Sequence, residues 1–154
     1  MRRLSRDEWE LFRKVRLAAL QDAPYAFGST YERERTMGEE NWRERLANRP
    51  QFAAELDGEI VGTAAGIASD ERSAALISMW VAPHARGQGI GARLVNAVLD
   101  WAKREGYTSV SLWVTDGNAV AERLYERCGF TRTGVGQPVH PGEARAEYEM
   151  SKLL

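Results

Sequence analysis

Arg86-Gly87-Gln88-Gly89-Ile90-Gly91 stands between the most apolar stretch of the chain, residues 74–81, and a segment in which Ile90, Leu94, Val98 and Trp101 recur at helical spacing. This is a strand running into a helix through three alternating glycines. Glycine lets a backbone take positive φ and approach a ligand closely, so several N–H groups can converge on one anion. The following helix adds its free N–H groups and the positive end of its dipole. Arg86 offers charge-assisted hydrogen bonds; Gln88 either donates its amide or faces solvent. The stretch reads as a cradle for a diphosphate. Two better-known nucleotide loops do not fit. The glycines lack the spacing of the dinucleotide fingerprint, and the strands before them are in the wrong order for a first βαβ unit. No Lys-Ser or Lys-Thr follows, as a P-loop requires.

Upstream, Ser5 and Glu8 have capping-box spacing before a helix over residues 7–22, which sets Leu11, Phe12, Val15 and Ala19 on one face. Asp22-Ala23-Pro24 ends it. Residues 24–37, with Tyr25, Phe27 and Tyr31, read as a loop or broken helix, and residues 39–47 as a second helix. Strands follow over 52–56 and 60–68, joined by the hairpin signal Asp57-Gly58, and then the central strand 74–81. Beyond the glycine loop come a helix over 89–105 stopped by Gly106, a strand over 108–115, and a helix capped by Asn118 that runs to Cys128. Gly129 suits a left-handed C′ position, and residues 130–135 and 146–153 close the chain as strands. The order predicts one α/β (α+β) domain over residues 1–154, layered around a mixed sheet.

Composition agrees with one domain: 154 residues, 44% of them apolar, suffice for a core without metals or disulfides. With 21 basic and 22 acidic residues the net charge is −1, against the basic excess of a general nucleic-acid binder. The N-terminus turns charged at once and no apolar run reaches the ~18 residues of a membrane span. A cytoplasmic protein without nucleic-acid or membrane partners is expected. The single cysteine, Cys128, fits a reducing compartment and reads as a small buried hydrophobe, with a nucleophile as the other reading.

Arg86, Gly89 and Gly91 match the signature R-x-x-G-x-G of the GNAT acyltransferase superfamily, which this chain resembles nearly end to end. Ile77-Ser78-Met79-Trp80-Val81-Ala82-Pro83 is similar to the strand before that loop. Asn118-Ala119-Val120-Ala121-Glu122-Arg123-Leu124-Tyr125-Glu126-Arg127-Cys128-Gly129-Phe130 is similar to the family's second cofactor segment. Residues 22–32 resemble a subset of bacterial members. The resemblance implies a mostly antiparallel sheet with a splayed parallel strand pair, flanked by about four helices. Acetyl-CoA would lie in the splay, its pyrophosphate on Arg86, Gly87, Gln88, Gly89, Ile90 and Gly91. Its pantetheine would pair with backbone near Met79, Trp80 and Val81, where an N–H polarises the thioester carbonyl.

The same resemblance gives Tyr125 the role of proton donor to the leaving thiolate and places Asn118 at the cofactor. By periodicity alone Tyr125 reads as a ring packed between helix and sheet, and Asn118 as an N-cap. Family members that carry a glutamate base have it on the strand before the loop, and residues 74–81 contain no carboxylate. Glu32, Glu55 and Glu147 stay open as the base, with Ser78 as holder of a relay water. Phe27, Tyr31, Glu32, Ser78 and, in the late loop, His140 are candidates for the acceptor pocket. Trp9, Trp42, Trp101 and Trp113 read as packing. The expected activity is N-acetyl transfer to a small-molecule or peptide amine by a monomer or homodimer. A non-catalytic acyl-CoA sensor is the alternative, and a nucleotide-dependent oxidoreductase is disfavoured by the glycine spacing.

Overall fold

The computed structural model describes residues 1–24 and 27–154, so Tyr25 lies outside the described residues. The described residues form seven strands: β1 (Arg2–Arg3), β2 (Gln51–Leu56), β3 (Glu59–Ala68), β4 (Ser73–Val81), β5 (Ser109–Thr115), β6 (Thr131–Pro138) and β7 (Ala146–Leu153). They form one sheet in the order β1-β2-β3-β4-β5-β7-β6. Only β4 and β5 run parallel; the other neighbours are antiparallel. The mixed, mostly antiparallel sheet expected from the sequence is therefore present.

Five α-helices flank it among the described residues: α1 (Trp9–Asp22), α2 (Tyr31–Glu34), α3 (Glu39–Asn48), α4 (Ile90–Arg104) and α5 (Ala119–Arg127). The one beyond the expected four is α2, a single turn within the broken segment. Thr30 caps it by accepting a 3.2 Å hydrogen bond from the Arg33 N–H. The other unforeseen element is β1, two charged residues with no alternation to announce them, held by pairing with Ala53 and Phe52 of β2. Ser5 and Glu8 do act together, the Glu8 carboxylate accepting from the Ser5 N–H at 3.0 Å ahead of α1. Asp57 and Gly58 both take positive φ, 52° and 79°, as a two-residue hairpin turn between β2 and β3 requires. None of the described helices is long and apolar enough to cross a membrane.

The two faces of the sheet are distinguishable residue by residue. A Cβ on Gly66 of β3 would fall against the ring of Trp101, so that residue faces α4. Thr63 and Ala65 then face the other way, toward α1. Trp80, the partner of Thr63, confirms it by donating its indole N–H to Asp22 at the end of α1, 3.0 Å away. On β7, Tyr148 donates its hydroxyl to Glu122 of α5. Residues 148 and 150 thus point to the α4/α5 face, and Glu147 to the α1 face.

Between the pairs Thr63↔Trp80 and Ala65↔Ile77, β3 has one residue and β4 has two. The extra residue makes a bulge, and Ser78 takes a left-handed φ of 57° within it. On its other side β4 pairs with β5 only at Ser73↔Ser109, Ala74↔Val110 and Ala75↔Ser111. Past Ala75 the two parallel strands separate. That splay opens the site.

Candidate active site

A cleft of about 710 Å³ occupies the splay. The later half of β4, the end of β5, the glycine loop, α5, and Arg16 with Phe27 and Gly28 line it. Backbone from Leu76 to Val81 has no ladder partner on the β5 side, so its polar groups there are free to pair with an extended ligand.

The glycines of the loop are required for different reasons. Gly87 and Gly89 hold φ of 78° and 79°, and a Cβ on either would meet nothing within 4 Å. Their job is backbone conformation beside an open space, with Gly89 as the N-cap of α4. Gly91 is a packing residue, since a Cβ there would sit 3.0 Å from Leu124 of α5. It lets the first turn of α4 lie against the helix that carries Tyr125. Ile90 is buried, whereas Gln88 is exposed and outside the cleft wall.

Arg86 is placed differently from a side chain reserved for phosphate. Its Nε donates to the Val81 carbonyl at 2.9 Å and its Nη2 to Asp22 at 2.7 Å. Asp22 also accepts from Trp80, so Arg86 ties the end of β4 to the end of α1. Nη1 keeps no protein partner among the described residues and Arg86 lines the cleft.

Asn118 caps α5 through its side-chain oxygen, which accepts from the Ala121 N–H at 3.2 Å, and it also lines the cleft. Capping and a place in the cleft wall therefore coexist. Tyr125 lines the same wall, with its ring edge-on to Phe130 at 6.0 Å between centroids. It is 6% exposed, and its hydroxyl has no hydrogen-bond partner among the described residues. Burial, and then the neighbouring Cys128, pushes its pKa up. The hydroxyl thus keeps its proton at neutral pH.

Residues 6–130 match the family model described as acetyltransferase (GNAT) family. The chain belongs to the GNAT acetyltransferase family. Among curated proteins it is 33% identical over 134 residues to the mycothiol acetyltransferase of Stackebrandtia nassauensis, covering 82% of this chain and 42% of that protein. It is 35% identical over 100 residues to the N-acetylaspartate synthetase of Danio rerio, covering 64% and 36%. The GNAT chain thus spans less than half the length of these two relatives. Among solved structures, the ribosomal-protein-alanine N-acetyltransferase of Brucella melitensis is 26% identical with a TM-score of 0.79, covering 99% of this chain and 98% of that one. A putative acetyltransferase from Salmonella typhimurium, solved with its cofactor acetyl-CoA, is 23% identical with a TM-score of 0.78, covering 99% and 92%.

The remaining expectations for this GNAT site divide. Phe27 and Ser78 line the cleft. Tyr31 is half-buried and Glu32 exposed, and neither is part of its wall, because α2 turns Glu34 inward instead. Glu55 pairs with Arg2 on the far edge of the sheet, 2.9 Å away. Glu147 lines the cleft, the one carboxylate to do so among the described residues, and accepts from Gln137 at 2.8 Å. Trp113 is 37% exposed and stands in the cleft wall rather than in packing. Sequence reasoning missed Arg16, which helical spacing puts beside Ala19 and Leu20 on a buried stripe and which needed its buried partner Glu34 to be noticed.

Proposed function

We propose that this GNAT chain transfers the acetyl group of acetyl-CoA to a primary amine by direct attack. The observation that carries the reading is the splay past Ala75, which has the glycine loop at one end and the buried Tyr125 in its wall. The pyrophosphate fits the open space over Gly87 and Gly89, with the α4 N-terminus and Nη1 of Arg86 as donors. The pantetheine fits the unpaired edge of β4 at Met79, Trp80 and Val81 as an added strand. A backbone N–H at the Ser78 bulge supplies the oxyanion donor.

The two faces of the sheet divide the proton work. Glu147 points to the α1 face, where the acceptor enters, and takes the ammonium proton directly or through a water held at Ser78. The amine nitrogen bonds to the carbonyl carbon, the C–S bond breaks, and the thiolate takes the Tyr125 proton from the α5 side; the second proton that the nitrogen sheds as the amide forms restores the Tyr125 hydroxyl through water. No covalent acetyl-protein stage is needed. Initial-rate kinetics should therefore show a ternary complex, and chain incubated with labelled acetyl-CoA should carry no label. Labelled protein that passes its acetyl group to an amine would contradict direct attack.

Glu147→Gln is expected to lower kcat/KM about 100-fold at neutral pH. The deficit should shrink at pH 9.5, where much of the acceptor is already an unprotonated amine. A pH-independent deficit, or one under about threefold, would remove Glu147 as the base. Gly89→Ala puts a Cβ on a left-handed residue, which costs roughly 1–2 kcal/mol, and intrudes on the pyrophosphate space. CoA affinity measured by calorimetry should fall about tenfold or more. Unchanged affinity in a folded variant would move the pyrophosphate elsewhere.

A further inference from the structure

Behind the α1 side of the cleft lies a buried group of charges that the transfer chemistry leaves unused. Arg16 lines the cleft and is 8% exposed. It lies six residues before Asp22 on α1, about 9 Å along the helix axis, and Asp22 holds Arg86 of the loop. Its guanidinium is oriented by Glu34, which accepts from Nε and from Nη2 at 3.0 Å each. This two-point pairing points Nη1 away from Glu34. Phe27 stacks under Arg16 at 4.8 Å from ring centroid to Cζ.

Behind it the charges do not balance. Arg45 also bonds Glu34, at 2.9 Å, and Arg49 stands close enough to feel Arg45, Arg16 and Glu34. Three guanidinium groups thus share one carboxylate in a chain whose net charge is −1. Burial, followed by the charges of Arg45 and Arg16, pushes Arg49 down to about 10. Buried polar atoms here also want partners: Arg49 Nε, and both Gln51 Nε2 and Oε1, have none among the described residues. Gln51 is 1% exposed. It pairs with Ala65, which pairs with Ile77 of the cleft wall, so all three face α1. Excess buried positive charge is costly unless an anion completes it.

We propose that Arg16, backed by Arg45 and Arg49, anchors a carboxylate on the acceptor, so the acceptor is an amino acid or a similar amine with a free carboxyl group. The proposal rests on the acetyl-transfer reading for its amine but not for its anion. The diphosphate of CoA is assigned to the loop at Arg86, Gly87 and Gly89, so it is not the partner proposed for Arg16. Arg16 and Glu147 both line the cleft, and the proposal sets the acid of the acceptor on Arg16 and its amine toward Glu147. A planar guanidinium with one edge fixed by Glu34 suits a carboxylate better than a lysine would.

The test is a matched panel of L-amino acids and their carboxamides as acceptors, read by thiol release, with the corresponding N-acetyl products titrated against the CoA complex by calorimetry. Acids should be preferred over amides at least about tenfold in kcat/KM and in product binding. Arg16→Gln should abolish the preference while CoA affinity stays intact, and Arg16→Lys should keep part of it. Equal use and equal binding of acid and amide by the wild-type protein would overturn the proposal, as would a preference that survives Arg16→Gln. If Arg16→Gln does not fold, the wild-type comparison and Arg49→Gln, expected to weaken the preference, decide it. Acid-selective product binding with no turnover on any amine would sink the transferase reading and leave the anion subsite standing.

Discussion

Replacing Tyr125 by Phe should lower kcat at least about 100-fold, while the affinity for CoA and the melting temperature change little. The hydroxyl donates to no protein group among the described residues, so its removal breaks no internal hydrogen bond, and the ring keeps its packing on Phe130. What is lost is a proton source beside the sulfur. Burial and Cys128 raise the Tyr125 pKa, so the hydroxyl still carries its proton at the pH of turnover. An alternative thioester with a more acidic thiol should accordingly lose less than acetyl-CoA does. Equal losses with both, or a loss within about twofold, would reassign Tyr125 to packing, the other reading its position in the sequence allows.

Glu34→Gln should cost about 3–5 kcal/mol of stability, because it strips the counter-charge from buried guanidinium groups while keeping shape. For a chain of this length that lowers Tm by on the order of 10 °C. The same group sets an acid limit. Burial alone would raise its pKa, but the hydrogen bonds and charges of Arg16 and Arg45 prevail and lower it from 4.5 to about 2. A depressed folded-state value means the stabilisation is complete above the unfolded pKa of about 4.5 and is lost as pH falls toward 2. Its full size is on the order of 3 kcal/mol. The variant should therefore lose much of the wild-type decline in stability between pH 4.5 and pH 2.5. Denaturant midpoints across that range measure it. Parallel wild-type and variant curves would mean Glu34 is not the titrating group.

The loop and the elements on either side were legible because local chemistry alone dictates them. Gly87 and Gly89 need positive φ, and Asn118 and Gly129 punctuate a helix by capping and left-handed geometry. Asp57-Gly58 has one common use. What escaped was set by partners distant in sequence. β1 has no pattern of its own and exists through β2. Glu34 and Glu32 look alike in Tyr31-Glu32-Arg33-Glu34, and only the packing of α2 beside Arg16 and Arg45 selects the one that turns inward. Glu147 could not be separated from Glu55 until the face of β7 was fixed by Tyr148 and Glu122. Trp113 looks like core on a strand rich in Val and Leu. It faces the cleft because β4 leaves β5 past Ser111, while β5 stays paired with β7 on its other side.

Amine-dependent release of CoA thiol from acetyl-CoA, with the acetyl group recovered as an amide on the amine, tests the central claim most directly. The account predicts release in step with amide formation for at least one class of primary amine, with amino acids ahead of their amides, and an accompanying collapse in Tyr125→Phe. Tight binding of acetyl-CoA in the cleft with no thiol release above spontaneous hydrolysis, across amino acids, polyamines, aminoglycosides and peptide N-termini, would contradict it and leave a binding module.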